Sequence, residues 1–268
     1  MKLQVLVATM NNLNVEKLYN DMNLKTDALI INQSDFFEYE CKEVNGSTLE
    51  CYTFNERGLS KSRNNALLRC SGDIICFADD DMVYTETYEN DIINEFEKHP
   101  NADAIVFNVP SNSTSRTGKE IKKFARVSEF ESREYGSVHI AIKRDALISR
   151  NVYFNILFGS GSVYKCGEDT IFLKELFDKK IKLYKSPVVI GTVDMSESTW
   201  FDGYNEKYFF DKGAIIACAY PKIKYFLILV QALKNSKKKL GSYKNFFKLY
   251  KWYLKGAVDY KNKKNSEV

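Results

Sequence analysis

The segment IICFADDD at residues 74–81 joins a short apolar run to three consecutive aspartates. The run Ile74–Ala78 has the length of a buried strand, and the Gly-Asp pair before it is typical of a turn. Three carboxylates at this spacing oppose one another's ionisation unless water or a cation lies between them. We therefore expect Asp79, Asp80 and Asp81 to lie at an open sheet edge, facing solvent or a divalent metal ion. Taken alone, such a triplet is more often a plain acidic turn, so the rest of the chain has to decide.

Strand and helix patterns alternate outward from this segment. Apolar runs predict strands at 3–8, 28–31, 51–54, 104–109, 137–142 and 188–193, and helical spacing covers 59–70 and 85–98. Alternating strands and helices indicate an α/β fold with a mostly parallel, doubly wound sheet and flanking helices. Ligands of such sheets bind beyond the carboxyl ends of the strands. Thr9, Gln33 and the three aspartates all follow predicted strands, so we expect them to line one crevice.

Composition narrows the function classes. The chain of 268 residues is long enough for one large domain with an appendage. Six dispersed cysteines without a CxxC pair indicate free thiols in a reducing, cytoplasmic compartment and no zinc site. The N-terminus, MKLQVLVA, has the pattern of a strand and not of a secretory signal. Two histidines are too few for a multi-histidine metal site and argue against a histidine-based triad.

The net charge of +4 hides a strong asymmetry. Residues 222–268 contain 13 Lys, one Asp and one Glu, which leaves a charge of −7 on the preceding 221 residues. Apolar spacing from Tyr243 to Val258 predicts an amphipathic helix with lysines on its other side. A basic, aromatic helix of this kind is typical of a membrane surface, and packing on the body with solvated lysines is the alternative. The apolar run 223–233 is too short to span a bilayer.

Four segments occur in a particular order: TMNN at 9–12, ERGLSKSRNNAL at 56–67, the aspartate segment, and GEDT at 167–170. Together they resemble the family 2 glycosyltransferases of the GT-A fold, of the bacterial capsular and surface polysaccharide type. The second and third segments are specific in combination and weak alone. The resemblance implies a catalytic domain over residues 1–210, with a nucleotide-sugar half at 1–110 and an acceptor half at 111–210. A basic, aromatic helical tail would follow at 211–268.

The resemblance also implies roles on the donor side. Asp79 and Asp81 match the family's Asp-x-Asp and would hold Mn²⁺ or Mg²⁺ against the diphosphate leaving group. Asp79 would also approach the ribose, and Asp80 takes the variable middle position of the nucleotide site. Arg63 and Asn64 match an Arg-Asn pair beside the nucleotide. Arg63 could contact the diphosphate or fix the acidic cluster.

The nucleobase would lie near the first two strand ends. Thr9 matches the residue after the first strand, close to the base. Many members carry Asp at the end of the second strand, whereas this chain has Gln33, whose amide could hydrogen-bond a uracil. This departure leaves the nucleobase open, and the resemblance implies a UDP-sugar only because UDP is the commonest donor form of the family.

The acceptor side centres on Asp169, which matches the family's Glu-Asp pair. It would act as the general base that deprotonates an acceptor hydroxyl, and a single base of this kind favours an inverting reaction. The alternative is that Glu168 and Asp169 only cap a helix. A late metal ligand, often His in the family, could be Asp194 or Ser198 here. Trp200 could stack on an acceptor sugar or pack in the core.

We therefore expect a metal-dependent glycosyltransferase at the inner face of the plasma membrane. It would move a sugar from a nucleotide-sugar to a saccharide or lipid-linked saccharide acceptor. A nucleotidyltransferase also uses acidic metal ligands but needs no element such as GEDT. A nucleic-acid-binding protein would grip phosphates with the lysine tail, and the acidic body and the aromatic face of the tail argue against it.

Overall fold

The computed structural model describes residues 1–111, 120–194 and 203–266. The strands are β1 (Leu3–Met10), β2 (Asp27–Gln33), β3 (Glu38–Val44), β4 (Ser47–Phe54), β5 (Ile74–Asp79), β6 (Met82–Tyr84), β7 (Ala104–Asn108), β8 (Ala125–Arg126), β9 (Ile140–Lys143), β10 (Leu183–Val189) and β11 (Gly191–Val193). The helices are α1 (Val15–Asp21), α2 (Leu59–Leu67), α3 (Tyr88–Lys98), α4 (Glu129–Ser132), α5 (Arg144–Ile148), α6 (Glu168–Asp178), α7 (Glu206–Ala219), α8 (Lys224–Lys238) and α9 (Phe246–Ser266). Single 3-10 turns occur at Ser137–His139 and Tyr243–Asn245.

Within these residues, nine strands form one sheet in the order β3-β4-β2-β1-β5-β9-β7-β10-β8, and β6 pairs with β11. The central strands β4, β2, β1 and β5 pair in parallel, as do β7 and β10. Strands β3, β9 and β8 are antiparallel to their neighbours. Six of the nine strands thus run in one direction, which confirms the predicted α/β fold with a mostly parallel sheet.

Strands β1, β2 and β5 are buried on both faces, which explains their largely apolar sequences. Alternate residues of β1 and β5 enter two different cores: Val5 and Cys76 lie in one, and Leu6 and Phe77 in the other. Helices α1 and α3 contribute to the first core, and α2 and α6 contribute to the second. The helices therefore cover both faces of the sheet, and its carboxyl edge stays available for a ligand.

The register of the parallel strands positions the polar residues. Thr9 of β1 pairs with Asn32, Met10 pairs with Gln33, and Ala8 pairs with Asp79. The ends of β1, β2 and β5 therefore coincide at one edge of the sheet, as the sequence predicted.

Several elements differ from the sequence prediction. The predicted strand at 137–142 starts as a 3-10 turn, and only β9 is extended. The predicted strand at 188–193 is divided between β10 and β11, because β11 leaves the main sheet to pair with β6. Edge strand β3 was not predicted, since its residues are mostly exposed and carry charges that keep an open edge from aggregating.

The predicted boundary at residue 210 falls inside α7. Helices α7, α8 and α9 share a third core with Phe158, Tyr164 and Ile171 of the body. Backbones of α7 and α9 approach so closely that a Cβ on Gly256 would lie 1.8 Å from the Phe210 carbonyl oxygen. The predicted membrane-facing side of the tail is therefore partly internal, since Tyr253 and other apolar residues of α9 pack in this core.

Among the described residues, no helix is both long enough and apolar enough to cross a lipid bilayer.

Candidate active site

A cavity of about 760 Å³ opens at the carboxyl ends of β1, β2 and β5. Six residues that the sequence analysis named as candidates line it: Thr9, Gln33, Asp79, Asp80, Asp81 and Asp194. The remaining lining residues are Ala8, Met10, Arg57, Gly58, Leu59, Ser160 and Gly161. The volume lies in the usual range for small-molecule and cofactor sites.

The three aspartates have different surroundings. Asp79 pairs with Arg63 (Nη2 to Oδ1, 2.9 Å), and Asp80 accepts a hydrogen bond of 2.5 Å from Thr9 Oγ1. None of the ion pairs among the described residues includes Asp81. Partial burial, followed by the charges of Asp79 and Asp80, raises the pKa of Asp81 to about 6. A bound cation would relieve this repulsion.

The oxygen donors fit a hard divalent cation. No three His, Cys, Asp or Glu side chains converge into a metal cluster within the described parts of the chain. Such a donor set suits a metal that takes one or two carboxylates from the protein and further oxygens from a bound diphosphate. The backbone N–H of Asp194 donates to the Asp81 carbonyl oxygen (3.1 Å), so Asp194 also borders this site. Ser198 and Trp200 lie outside the described residues.

Arg63 connects the end of β5 with the start of α6. Its side chain is 3% exposed, and its guanidinium donates from Nη2 to Asp79 and from Nη1 to Asp169 Oδ1 (3.0 Å). Burial alone would lower the pKa of this guanidinium, but the charges of Asp79 and Asp169 outweigh that effect and raise the pKa. Of the two roles considered from sequence, these contacts favour the second, in which Arg63 fixes the acidic cluster, and Arg63 does not line the cavity.

Asn64 is not brought into the cavity. Its amide donates to the Phe154 carbonyl oxygen and accepts from the Phe154 N–H, both at 2.8 Å. This pair of bonds ties α2 to the segment that leads to the cavity wall. The side chain therefore has a positioning role in this structure, and the predicted direct contact with a nucleotide is not supported.

Gln33 lies at the cavity wall, and the oxygen of its side-chain amide already has a hydrogen-bond partner. Its Oε1 accepts a hydrogen bond of 2.6 Å from the backbone N–H of Gly58. The Nε2 hydrogens are therefore the groups that Gln33 can offer to a ligand. Gly58 has φ of +131°, a conformation that other residues rarely adopt.

Asp169 lies in the first turn of α6, after Gly167 with φ of +102°. Arg63 occupies Oδ1, whereas Oδ2 faces Gly136, on which a Cβ would lie 3.1 Å away. Because the Asp169 carboxylate pairs with Arg63, the alternative that Asp169 only caps α6 is disfavoured. The adjacent Glu168 has an Oε2 that is buried without a hydrogen-bond partner. Burial, followed by the charge of Asp169, raises the pKa of Glu168 to about 7.

Sequence reasoning missed the wall opposite the aspartates. Arg57, in the segment ERGLS, donates to the Ser34 carbonyl oxygen and pairs with Asp35 (Nη2 to Oδ1, 2.7 Å). Across from it, the Ser160 carbonyl accepts a hydrogen bond of 2.9 Å from the Leu59 N–H. A Cβ on Gly161 would lie 3.1 Å from the Gly58 nitrogen, so two glycine turns meet closely here. The GSGS sequence at 159–162 was a usable signal for this turn.

The fold is of the GT-A type. The fold resembles that of S. aureus TarS residues 1–349, with a TM-score of 0.64, 16% identity, and coverage of 96% of this chain and 92% of that one. The same TarS fragment in complex with UDP-GlcNAc gives 0.61, 16% identity, and coverage of 88% and 73%. A mannosyltransferase from Pyrobaculum calidifontis, PcManGT, in complex with GDP-Man and Mn²⁺, gives 0.54, 12% identity, and coverage of 97% and 86%.

Sequence comparison defines the class more closely. Residues 32–162 match the family described as Glycosyl transferase family 2. No curated protein matches the sequence. The family match, together with the shared fold, indicates that the chain is a glycosyltransferase, which confirms the predicted enzyme class.

Proposed function

We propose that this enzyme transfers a sugar from a UDP-sugar to a saccharide or lipid-linked saccharide acceptor in bacterial surface polysaccharide synthesis. The observation that carries the proposal is the Arg63 bridge. One buried guanidinium holds Asp79, at the nucleotide cavity, and Asp169, at the neighbouring helix start, in a fixed relation. A transferase needs both parts, one to stabilise a leaving diphosphate and one to activate an acceptor.

On the donor side, Asp79 and Asp81 would hold Mn²⁺ or Mg²⁺, which supplies Lewis-acid stabilisation of the leaving diphosphate. Thr9 orients the Asp80 carboxylate by its hydrogen bond. Gln33 offers amide hydrogens, which suit the carbonyl oxygens of a uracil. The nucleotide-sugars in the TarS and PcManGT structures support a nucleotide-sugar donor in general, and the choice of UDP rests on the resemblance to the family, with which Gln33 is compatible.

On the acceptor side, Asp169 would take the proton of the attacking hydroxyl. Arg63 fixes one carboxylate oxygen and leaves Oδ2 directed towards Gly136. The Asp169 side chain is 30% exposed, so a hydroxyl group can approach it from the solvent side. A single carboxylate in this position favours direct displacement with inversion. In this proposal Arg63 is a positioning residue, and the base is Asp169.

The proposed location rests on the charge of the chain, and the proposed halves of the body rest on its resemblance to the family. Residues 1–110 would form most of the donor site, to which Ser160, Gly161 and Asp194 of the second half also contribute. Residues 111–210 would face the acceptor, and the basic residues 211–268 would adjoin an anionic membrane at the cytoplasmic side. A lipid-linked acceptor is presented at such a surface.

A donor screen tests the proposal. Purified protein is incubated with UDP-, GDP- and TDP-sugars, with Mn²⁺, Mg²⁺ or EDTA, and released nucleotide is measured. We expect metal-dependent release from a UDP-sugar and its loss in Asp81→Asn, whereas Asp73→Asn, on the same strand segment but at the opposite end, should behave as wild type. Release that persists in EDTA would contradict the metal role. Turnover of nucleoside triphosphates in place of nucleotide-sugars would contradict the transferase assignment.

A further inference from the structure

Helix α8 is apolar on two opposite faces. Its inner face carries Ile228 and Ala232, which are buried in the third core, and Asn235 donates a hydrogen bond of 2.9 Å to the Tyr253 hydroxyl of α9. The outer face carries Phe226, Leu229, Val230 and Leu233. The spacing of these four residues, i, i+3, i+4 and i+7, places them on one side of a helix.

The outer face is open. These four side chains and Tyr225 are between 42% and 65% exposed, and Ile223 extends the same surface at the start of the helix. Isolated exposed apolar residues are ordinary, but a contiguous row along two turns of helix marks an interaction surface. Nothing in the described parts of the chain covers it.

The charge around this face identifies its partner. From Pro221 to Val258 the chain has ten lysines and no Asp or Glu. Lys237 follows Leu233 by four residues and therefore continues the outer face, and its ammonium lies over the ring of Tyr243, 5.4 Å from the centroid. An apolar row on a segment whose charged side chains are all cations complements a surface with an anionic outer layer and an apolar interior. A protein partner would need an apolar groove with an entirely acidic rim.

We infer that the outer face of α8, with residues Phe226, Leu229, Val230 and Leu233, is the segment that inserts into an anionic lipid surface. The helix would lie in the plane of the membrane, with its lysines at the phosphate layer. This inference names the membrane contact of the proposed function and rests on it. It moves that contact away from α9, whose Leu249, Tyr253 and Ala257 are committed to the core.

Vesicle binding tests the inference with matched variants. The test variant is Phe226→Gln/Leu229→Gln/Leu233→Gln, and the control variant is Leu68→Gln/Ile148→Gln/Val189→Gln. The control changes three exposed apolar residues of similar accessibility on the catalytic body. Binding is measured by co-sedimentation with vesicles of phosphatidylcholine alone and of phosphatidylcholine with phosphatidylglycerol. Thermal unfolding verifies that both variants are folded.

We expect wild type and control to bind the phosphatidylglycerol vesicles and to bind phosphatidylcholine weakly. The test variant should lose at least about tenfold in affinity, since burial of each large apolar side chain contributes on the order of tenfold. Lys234→Gln and Lys237→Gln should each cost about fivefold at low salt and little at high salt. Equal vesicle binding by the test variant and wild type would overturn the inference. So would a wild-type dimer in solution that the test variant dissociates, because the face would then bind a second copy.

Nucleotide release separates this inference from the proposed function. It is measured for the same three proteins with a UDP-sugar and a soluble acceptor. Release by all three, with vesicle binding lost only in the test variant, supports both proposals. Absence of release in all three, with the same loss of vesicle binding, would overturn the proposed function and leave the lipid surface standing.

Discussion

Replacement of Arg63 by methionine should destabilise the protein strongly and abolish transfer. The side chain is 3% exposed, donates to two carboxylates and lies 5.3 Å from the centre of the Phe154 ring. Methionine keeps much of the volume against Phe154 but leaves Asp79 and Asp169 without their cation. Removal of one partner from a buried ion pair costs about 3–5 kcal/mol. Asp79 and Asp169 are 37% and 30% exposed, so water can rehydrate them in part. We therefore expect the lower end of that range, about 3 kcal/mol.

The free energy of unfolding is measured by urea denaturation at neutral pH, with Arg69→Met as the control. Arg69 lies just beyond the same helix, is exposed, and packs over the Tyr52 ring, so its loss should cost less than about 1 kcal/mol. A deficit that equals that of Arg69→Met would refute the ion-pair reasoning. Arg63→Lys should recover stability better than activity, because one ammonium cannot hold both carboxylates in a planar fork.

Four further outcomes are expected. Asp81→Asn should lose Mn²⁺-dependent binding of UDP while its unfolding free energy at neutral pH is unchanged or higher, and calorimetric binding equal to wild type would contradict this. Asp169→Asn should bind the donor normally and lose transfer, measured as turnover against donor affinity; weaker donor affinity as the first effect would point to another role. Glu168→Gln should raise the unfolding free energy by at most about 3 kcal/mol at about pH 8 and leave it unchanged below about pH 4.5. The pKa of Glu168 is raised to about 7 in the folded state, so the folded state binds more protons than the unfolded state between about pH 4.5 and 7. The stability of the wild type therefore falls as the pH rises through this window. A difference between variant and wild type that does not change with pH would contradict this reasoning. Gly256→Ala should cost about 1–3 kcal/mol in urea denaturation, because its Cβ would meet the backbone of α7 at 1.8 Å, whereas Lys255→Ala beside it should cost less than about 1 kcal/mol.

The local pattern of apolar residues was sufficient to predict the central strands of the sheet. Strands β1, β2, β5 and β7 are buried on both faces, so each has a short and almost entirely apolar sequence. The polar residue after each run then marks the carboxyl end of a strand. This is why the cavity wall formed by Thr9, Gln33 and the three aspartates could be predicted from the amino-acid sequence.

Long-range contacts could not be predicted in the same way. Arg63 and Asp169 are 106 residues apart, and only the tertiary fold, in which α2 and α6 share one core, brings them together. The same holds for Asn64, whose polar side chain and motif suggested a ligand, whereas its partner is the backbone of Phe154, 90 residues away. A motif identifies which side chains matter and does not specify whether each one meets the substrate or another part of the protein.

The helical tail changes how membrane binding and catalysis must be separated by experiment. Ile215 of α7 occupies the space beside Gly167, where a Cβ would lie 2.3 Å from its Cδ1, so α7 fixes the start of the helix that carries Asp169. In turn, α9 holds α7, since a Cβ on Gly213 would lie 2.0 Å from the Tyr253 carbonyl oxygen. Deletion of α9 would therefore open the core behind the proposed base and impair activity whether or not the tail touches a membrane. Substitutions confined to the outer face of α8 avoid this ambiguity, because they change only side chains that lie outside that core.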